Sequence, residues 1–290
     1  MLRLPKLKLW QWLAIGLVIA NLTVIYVAFT RPDGLMHIYF LDVGQGDSIF
    51  IKTAEDYKIL IDGGSSANVV NLLDRLMPAW DRVIDLVVLT HPHADHAAGL
   101  IEVIKRYPVR EFLFNGMAYD SETYNTLLQI INDKHLNVAT ADANHDYILG
   151  ETRLDIIYPS IDDQPFNDPN DSSIVSDFRY GNFELLLTGD ISTKIEAELM
   201  QRGLLSDIDI LKIAHQGSRT STSQSLIDIT QPEVGIISVG RNKFGHPHME
   251  VVDRLQQSNI HLYRTDKNGT IEVVTDGNKY VIKTQTTPVS

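Results

Sequence analysis

A dense group of polar residues in this chain directly follows an apolar run, and the two together limit the folds that the chain can adopt. Residues 83–90 are almost continuously apolar, which is typical of a strand buried on both faces. Directly after them come His91, His93, Asp95 and His96. In a tight loop the first two histidines can face one point, while the last two residues face a second point nearby. Imidazole and carboxylate groups suit Zn, Mn or Fe ions, so the pattern predicts a metal site.

The alternative is a polar turn whose histidines coincide by chance. The chain has only 10 histidines among its 290 residues, and three of them fall in this short segment. Such a coincidence is improbable, and we favour the metal site. Cysteine is absent, so the ligands must come from His, Asp, Glu or Asn side chains.

Asp190 is a second candidate ligand. It follows the apolar run 183–188, and Gly189 lets the backbone turn sharply just before it. At a strand end Asp190 could bridge two metal ions. Asp is also a preferred N-cap residue, so the alternative is a cap of the following helix. Beside the histidine group, we favour the ligand.

Four further candidate residues, His246, His248, His215 and Asp62, fall in polar segments after predicted strands. His246 or His248 could close a second metal site. His215 is either a ligand or a proton donor to a leaving group, and the alternative is a surface histidine that caps the next segment. Asp62, in Leu60-Ile61-Asp62-Gly63-Gly64, is expected to hold a ligand histidine in place rather than to bind metal itself.

The order of predicted elements indicates an α/β (α+β) fold. A β-rich start, βα units in both halves and a β-rich end suggest two sheets with helices on their outer faces. No linker interrupts residues 34–290, which predicts one domain there. The predicted strands are 36–43, 48–53, 57–62, 83–90, 111–114, 153–157, 173–180, 183–188, 208–214, 233–239, 261–265, 270–275 and 280–283, and the predicted helices are 67–76, 121–132, 193–201, 224–229 and 249–257.

The first residues predict a membrane anchor. Arg3, Lys6 and Lys8 precede an apolar run over residues 9–29, and about 20 such residues match one helix across the hydrocarbon core. The basic flank predicts that residues 1–33 comprise a cytoplasmic tail and a single transmembrane helix, with the C-terminal domain outside the cytoplasm. A cleaved signal peptide, which would make the protein secreted, is the alternative. We favour the anchor because the run is long and no small-residue cleavage site follows it.

The net charge of the chain is relevant to whether it binds nucleic acid. The chain carries a net charge of −12, and four of its 25 basic residues lie within the first 34 positions, so the remainder is more acidic still. Proteins whose main role is non-specific nucleic-acid binding usually present a basic surface. Bound divalent ions would return positive charge locally at the site.

Taken in order, these segments resemble the metallo-β-lactamase fold superfamily. More narrowly, they resemble the extracellular hydrolase domain of the ComEC/Rec2 competence proteins and their stand-alone relatives. The matching segments are Phe40-Leu41-Asp42-Val43-Gly44-Gln45-Gly46-Asp47-Ser48, Leu60-Ile61-Asp62-Gly63-Gly64, 90–100, Leu187-Thr188-Gly189-Asp190, His215-Gln216-Gly217-Ser218 and 238–247.

The resemblance implies an αββα sandwich with two divalent metal ions, Zn or Mn. It assigns His91, His93 and Asp190 to the first ion, and His246 is preferred to His248 for the second. The full second set is Asp95, His96, Asp190 and His246.

Three departures from the family pattern stand out. The third histidine of the first metal site is absent, and Asn170 and Asp171 stand there as candidate oxygen ligands, which would favour Mn²⁺ over Zn²⁺. Gln216 replaces the second histidine of a His-His-Gly-Ser motif. The multi-helix membrane channel of the competence proteins is missing, and the single predicted helix cannot form such a pore.

The expected function is metal-dependent hydrolysis, most simply by a phosphodiesterase or nuclease that acts on DNA outside the cytoplasm. A pair of metal ions is a known hydrolytic arrangement. Asp95 would accept a proton from the attacking water, and His215 would protonate the leaving group. The alternatives are a hydrolase of small phosphodiesters or lactones, and a metal-bearing binding module without turnover. The sequence does not identify a protein partner.

Overall fold

A computed structural model describes residues 8–30, 32–143, 145–163 and 165–285. The chain divides into two units, Met1–Gly34 and Leu35–Ser290.

The first unit contains helix α1, Leu9–Thr30. Among the helices within the described residues, none is both long and apolar enough to cross a membrane. The transmembrane anchor predicted for residues 1–33 is therefore not supported. A helix is present, but the polar residues Gln11, Asn21 and Thr23 interrupt its apolar sequence, and the last two donate hydrogen bonds to carbonyls of the preceding turn.

The second unit contains two sheets. The first has eight strands in the order β15-β14-β1-β2-β3-β4-β5-β6. Its strands are β1 Met36–Phe40, β2 Ile49–Lys52, β3 Lys58–Ile61, β4 Ile84–Leu89, β5 Val109–Phe114, β6 Asn137–Thr140, β14 Ile271–Thr275 and β15 Tyr280–Thr284. Helices α2 Asn68–Leu76, α3 Ala94–Arg106 and α4 Glu122–Asp133 cover its outer face.

The second sheet has seven strands in the order β13-β12-β11-β10-β9-β8-β7. Its strands are β7 Asp146–Leu149, β8 Thr152–Tyr158, β9 Val175–Tyr180, β10 Phe183–Leu187, β11 Ile210–Lys212, β12 Val234–Ile237 and β13 His261–Arg264. Helices α5 Thr193–Gln201, α6 Gln224–Thr230 and α7 Met249–Gln257 cover its outer face, and a short helix, α8 Thr265–Asn268, follows β13.

The alternation of side chains along each strand builds three apolar layers. Ile61 and Val88 pack between the two sheets, whereas their neighbours Leu60 and Val87 pack against the helices. A strand buried on both faces needs apolar residues at every position, which explains the continuous run before His91. The structure thus has two sheets between two layers of helices, as the sequence predicted.

The sequence missed helix α3 and strands β6 and β7. Helix α3 begins inside the predicted ligand group, at Ala94, and its N-cap residue His93 makes no side-chain capping hydrogen bond. The usual sequence signal for a helix start is therefore missing. The two strands are short and largely exposed, so their apolar alternation is weak.

Parallel pairing directs the functional loops to one edge of the sandwich. Strands β3 to β6 run parallel in the first sheet, and β10 to β13 run parallel in the second. The loops after β4, β10, β11 and β12 carry the predicted ligands. Loops at the carboxyl ends of such strands are where α/β proteins place their sites.

Candidate metal centre

The loop after β4 and the first turn of α3 form one side of the site. His91 and His96 are completely buried. Their ring centroids are 4.1 Å apart, and Nε2 of His91 lies 3.2 Å from Nδ1 of His93. The sequence led us to expect a tight loop throughout, but the helix geometry of α3 sets where Asp95 and His96 point.

Three histidines converge on the carboxylate of Asp190. The Oδ2 atom of Asp190 lies 3.4 Å from Nε2 of His96, 4.0 Å from Nε2 of His91 and 3.9 Å from Nε2 of His215. The ligand atoms of His91, His96 and Asp190 all lie within 4.8 Å of one another. This spacing leaves room for a cation between them.

Asp62 holds His96 in place. Its Oδ2 accepts hydrogen bonds from Nδ1 of His96 and from Oγ1 of Thr90, both at 2.7 Å, and its Oδ1 accepts one from the Thr90 amide at 2.8 Å. These bonds use Nδ1 of His96 and direct Nε2 towards Asp190. The Asp62 carboxylate thereby orients His96, a candidate ligand, but does not itself point into the space between His91, His96 and Asp190.

The local charges favour one proton at the point where the histidines meet Asp190. Burial would lower the pKa of His96, but the carboxylates of Asp190 and Asp62 outweigh it and hold that pKa well above its usual value. Burial opposes ionisation of Asp190, yet His96 keeps the pKa of Asp190 well below its usual range. Burial, followed by the charge of His96, lowers the pKa of His91 far below normal. A metal ion would take over the charge that the proton on His96 supplies.

The second sheet provides the opposite side of the site. Asp190 follows β10 after a turn at Gly189, whose φ is +50° and where a Cβ atom would lie 2.7 Å from the Cβ of Ser173. The Asp190 amide donates to Oγ of Ser173 at 3.1 Å. His215 follows β11 in a left-handed backbone conformation, with a φ of 49°. The close packing at Gly189 explains why a glycine precedes the carboxylate.

The two sides enclose a cleft of about 240 Å³. It is lined by Gln45, His93, Asp95, Asn170, Asp190, His215, Gln216, Phe244 and His246. Five buried polar atoms of the site have no hydrogen-bond partner within the described residues: Oε1 of Gln45, Nε2 of His96, Oδ1 of Asp190, Oδ1 of Asn170 and Nδ1 of His246. Nitrogen and carboxylate or amide oxygen atoms left unpaired around one cleft fit divalent metal ions.

The two candidate oxygen ligands have different positions. Asn170 lines the cleft. The Oδ1 atom of Asp171 instead accepts a hydrogen bond at 3.1 Å from the amide of Ser192, the N-cap residue of α5. Asp171 therefore ties down the start of a helix, and of the two only Asn170 is placed to meet a metal ion.

Of the two nearby histidines, His246 lines the cleft, with its ring centroid 5.4 Å from that of His215. His248 occupies the N-cap position of α7. Burial lowers the pKa of His246, and the charge of His215 adds to this shift. A neutral imidazole is the form that binds metal.

A pair of glutamines in the site, Gln45 and Gln216, was not predicted from the sequence. Nε2 of Gln216 donates to Oδ2 of Asp95 at 3.0 Å, and Nε2 of Gln45 donates to Oε1 of Gln216. Gly46, next in the chain, packs so closely that a Cβ atom would lie 1.7 Å from the carbonyl oxygen of Asp95. The Gly44-Gln45-Gly46 segment thus supports Asp95, a role that its glycines alone did not reveal.

A buried ion pair beneath the site was also missed. Nζ of Lys212 lies 2.7 Å from Oδ2 of Asp47, and both side chains are almost fully buried. Burial raises the pKa of Asp47 to about 6, against the opposing charge of Lys212. The pair joins the loop before β2 to strand β11 and so connects the two sheets next to the ligands.

The chain matches a known family model over residues 41–241, described as the metallo-beta-lactamase superfamily. Among curated relatives, ComE operon protein 3 of Bacillus subtilis is 26% identical over 86% of this chain and 34% of its own length. Recombination protein 2 of Haemophilus influenzae is 32% identical over 80% of this chain and 28% of its own length. The chain thus spans about a third of the length of these relatives.

Solved structures show the same fold. The metallo-beta-lactamase fold protein YhfI from Bacillus subtilis has a TM-score of 0.55 at 12% identity, over 82% of this chain and 99% of that chain. The metallo hydrolase Igni18 from Ignicoccus hospitalis has a TM-score of 0.52 at 16% identity, over 81% of this chain and 98% of that chain. The resemblance inferred from the sequence motifs, including that to competence proteins, is therefore confirmed. The chain belongs to the metallo-β-lactamase superfamily and carries the metal-dependent hydrolase fold of that superfamily.

Proposed function

We propose that the protein is a metal-dependent phosphodiesterase that cleaves DNA. The observation that carries this proposal is the convergence of His91, His96 and His215 on Asp190, in a cleft with unpaired ligand atoms. The relatives named Recombination protein 2 and Competence protein ComA support DNA as the substrate. The domain shared with them is the part that carries these residues.

The donor set fits two divalent ions. His91, His93 and Asp190 would hold one ion, with Asn170 as a further oxygen donor that favours Mn²⁺ over Zn²⁺. The second set is Asp95, His96, Asp190 and His246. When bound, such ions lower the pKa of a water towards about 7 and polarise the substrate oxygen.

The side chains around the cleft supply the proton transfers. Asp95 accepts the proton of the attacking water, and Gln216 orients the Asp95 carboxylate by its hydrogen bond. The water oxygen forms a bond to phosphorus as the bond from phosphorus to the leaving oxygen breaks. His215, which is 24% exposed and lines the cleft, donates a proton to that leaving oxygen.

Metal analysis followed by a nuclease assay tests the proposal. We expect the purified protein to bind divalent metal and to cleave DNA with Mn²⁺ or Zn²⁺, and to lose cleavage in EDTA. Single-stranded and double-stranded DNA should both be assayed. Bound metal without hydrolysis of any phosphodiester would contradict the proposal and favour a binding module.

A second candidate function is hydrolysis of a small phosphodiester or lactone. The cleft of about 240 Å³ is small, and the net charge of −12 disfavours long-range attraction of a polyanion. Rapid hydrolysis of bis-nitrophenyl phosphate together with intact DNA would favour this function.

We further propose that the hydrolase unit acts outside the cytoplasm. Arg3, Lys6 and Lys8 precede the apolar helix Leu9–Thr30, and export signals begin with the same layout. Alkaline phosphatase needs disulfides, which form outside the cytoplasm. Alkaline phosphatase fused to the C-terminus of this chain should therefore show phosphatase activity in cells. An inactive phosphatase fusion beside an active β-galactosidase fusion would contradict this location.

A further inference from the structure

An exposed aromatic ring stands at the rim of the cleft. Phe244 lines the cleft, and 58% of its surface is exposed. Its ring centroid lies 5.8 Å from that of His246, with the two planes tilted by 31°. Because it lines the cleft beside His246, this ring is positioned to contact a ligand that enters the cleft.

The loop that carries Phe244 is held in shape. Oδ1 of Asn242 accepts hydrogen bonds from the amides of Phe244 and His246, both at 3.0 Å. Nδ2 of Asn242 donates to the carbonyl oxygens of Gly240 at 2.9 Å and His246 at 2.8 Å. These bonds fix the backbone of the loop, and the Phe244 ring lies beside the His246 ring.

Two cations flank the ring. Arg241 and Lys243 are exposed, and Nζ of Lys243 lies 5.6 Å from the centroid of the Phe244 ring. Neither cation forms an ion pair with any carboxylate in the described ranges 8–30, 32–143, 145–163 and 165–285. These two remain available for an external anion.

The size of the cleft indicates where a polymeric substrate must lie. Ligand pockets of small molecules span roughly 300–1,000 Å³, and this cleft holds only about 240 Å³. It can take a scissile phosphodiester but not the nucleotides on both sides of it. A polymer must therefore cross the rim, where Phe244 is.

We propose that residues 241–244 form a binding subsite for single-stranded nucleic acid. An unpaired base stacks on Phe244, and Arg241 and Lys243 bind the phosphates of the adjoining nucleotides. Aromatic side chains combined with cations are how proteins bind single strands without sequence preference. A base within a duplex cannot offer its face to the ring, so the subsite selects unpaired strands. This inference rests on the proposed phosphodiesterase function.

Binding measured without turnover tests the subsite separately from catalysis. The probe is a short fluorescein-labelled oligothymidylate, followed by anisotropy in Ca²⁺, with a duplex of equal length as competitor. We expect Phe244→Ala and Phe244→Leu to weaken single-strand binding by about 10-fold or more, and Phe244→Trp and Phe244→Tyr to retain it. Rescue by leucine would mean that Phe244 only packs against His246, and would overturn the proposal.

The cations are tested with a charge-matched control. The double variant Arg241→Ala/Lys243→Ala should lower the slope of log affinity against log salt by about 1.4, since each phosphate contact on a single strand contributes about 0.7. Arg75→Ala/Lys279→Ala removes the same charge from exposed residues at the end of α2 and in the turn before β15, and should leave the slope unchanged. Equal changes in both double variants would contradict the subsite.

The two proposals fail in different ways. Wild-type protein that binds the oligothymidylate through Phe244 but cleaves no DNA would retain the subsite and refute the nuclease. Metal-dependent DNA cleavage with an unchanged KM for single strands in Phe244→Ala would refute the subsite alone. Equal loss of duplex and single-strand binding in Phe244→Ala would also refute it, because stacking requires an unpaired base.

Discussion

The two sides of the cleft hold their ligands differently. On the first side, formed by residues 90–96 with Asp62, the histidine His96 is fully buried and its Nδ1 is hydrogen-bonded at 2.7 Å. On the second side, formed by Asp190, His215, Gln216 and His246, His215 is 24% exposed and Nδ1 of His246 has no partner within the described residues. The first side is set before metal binds, while the second side is freer to respond to metal and substrate.

Asp190 connects the two sides. It comes from the second sheet, yet it is only 2% exposed and its carboxylate meets the histidines of the first. This difference shows that hydrogen bonds preorganise His96 on the first side, whereas His215 and His246 on the second side are held less firmly. Metal affinity should depend most on His96 and Asp190, whereas turnover should depend on Asp95 of the first side and on His215 of the second.

The largest effect is expected from Asp190→Ala. It removes the carboxylate that both proposed metal sites would share, and we expect hydrolysis to fall by far more than the roughly 100-fold cost of losing a residue that only supports a ligand. Metal content by mass spectrometry and hydrolysis of a nitrophenyl diester measure the loss. Full metal-dependent activity against every substrate tested would refute the mechanism.

His215→Ala separates proton donation from metal binding. We expect kcat on DNA to fall by roughly 100-fold, since general acid catalysis contributes about 10²–10⁴-fold. The loss should shrink with a nitrophenyl leaving group, which departs without a proton. An equal loss on both substrates, together with reduced metal content, would identify His215 as a ligand instead.

Asp62→Asn examines the preorganised side. An amide cannot hold His96 as a carboxylate does, and we expect metal affinity to fall by about 10- to 100-fold. Competition with a fluorescent chelator measures it, and Thr90→Ser, which keeps the hydroxyl that donates to Asp62, serves as the matched control. Unchanged affinity in Asp62→Asn would show that the first side is held by packing alone.

The pH dependence of metal binding follows from His96. Its raised pKa means that the metal-free protein carries a proton there at neutral pH, and this proton must leave when Nε2 binds metal. We therefore expect affinity to rise with pH, by about 10-fold per pH unit below the pKa of His96, and to fall as pH falls. Calorimetry in two buffers of different ionisation enthalpy should show about one proton released. No proton release at neutral pH would contradict this.

The smallest effect is expected from Gln216→Ala. It removes one hydrogen bond to Asp95, worth roughly 0.5–1.5 kcal/mol, so kcat/KM should fall by about 2- to 10-fold with metal content unchanged. Gln45→Ala should give a similar or smaller loss, because Gln45 acts on Asp95 only through Gln216. A larger effect from Gln45 than from Gln216 would break this order.

Much of the fold was predictable from local pattern. The helix predicted at residues 249–257 has the same bounds in the structure, Met249–Gln257, since its apolar residues recur at helical spacing and face the second sheet. The edge strand Asp146–Leu149 was missed because its side chains alternate only between exposed and half-buried positions. The alternation of apolar residues therefore does not predict a strand whose side chains are only slightly buried.

The site was predictable to a different degree. His91, His93, Asp95 and His96 are close in sequence, and a chain that turns once after a strand brings them together. Gln216 has no such local sign, because its contact with Asp95 spans 121 positions and depends on a left-handed backbone, with a φ of 55°.

The types of candidate ligand, their order along the chain and their placement after strands follow from the sequence, because these depend on neighbouring residues and on strand periodicity. The contacts between these residues become visible only in the folded structure. Asp62 orients His96, Asp171 fixes a helix start and Asn170 reaches the cleft. These assignments depend on how the two sheets close against each other, and that closure is set by packing between residues far apart in the chain.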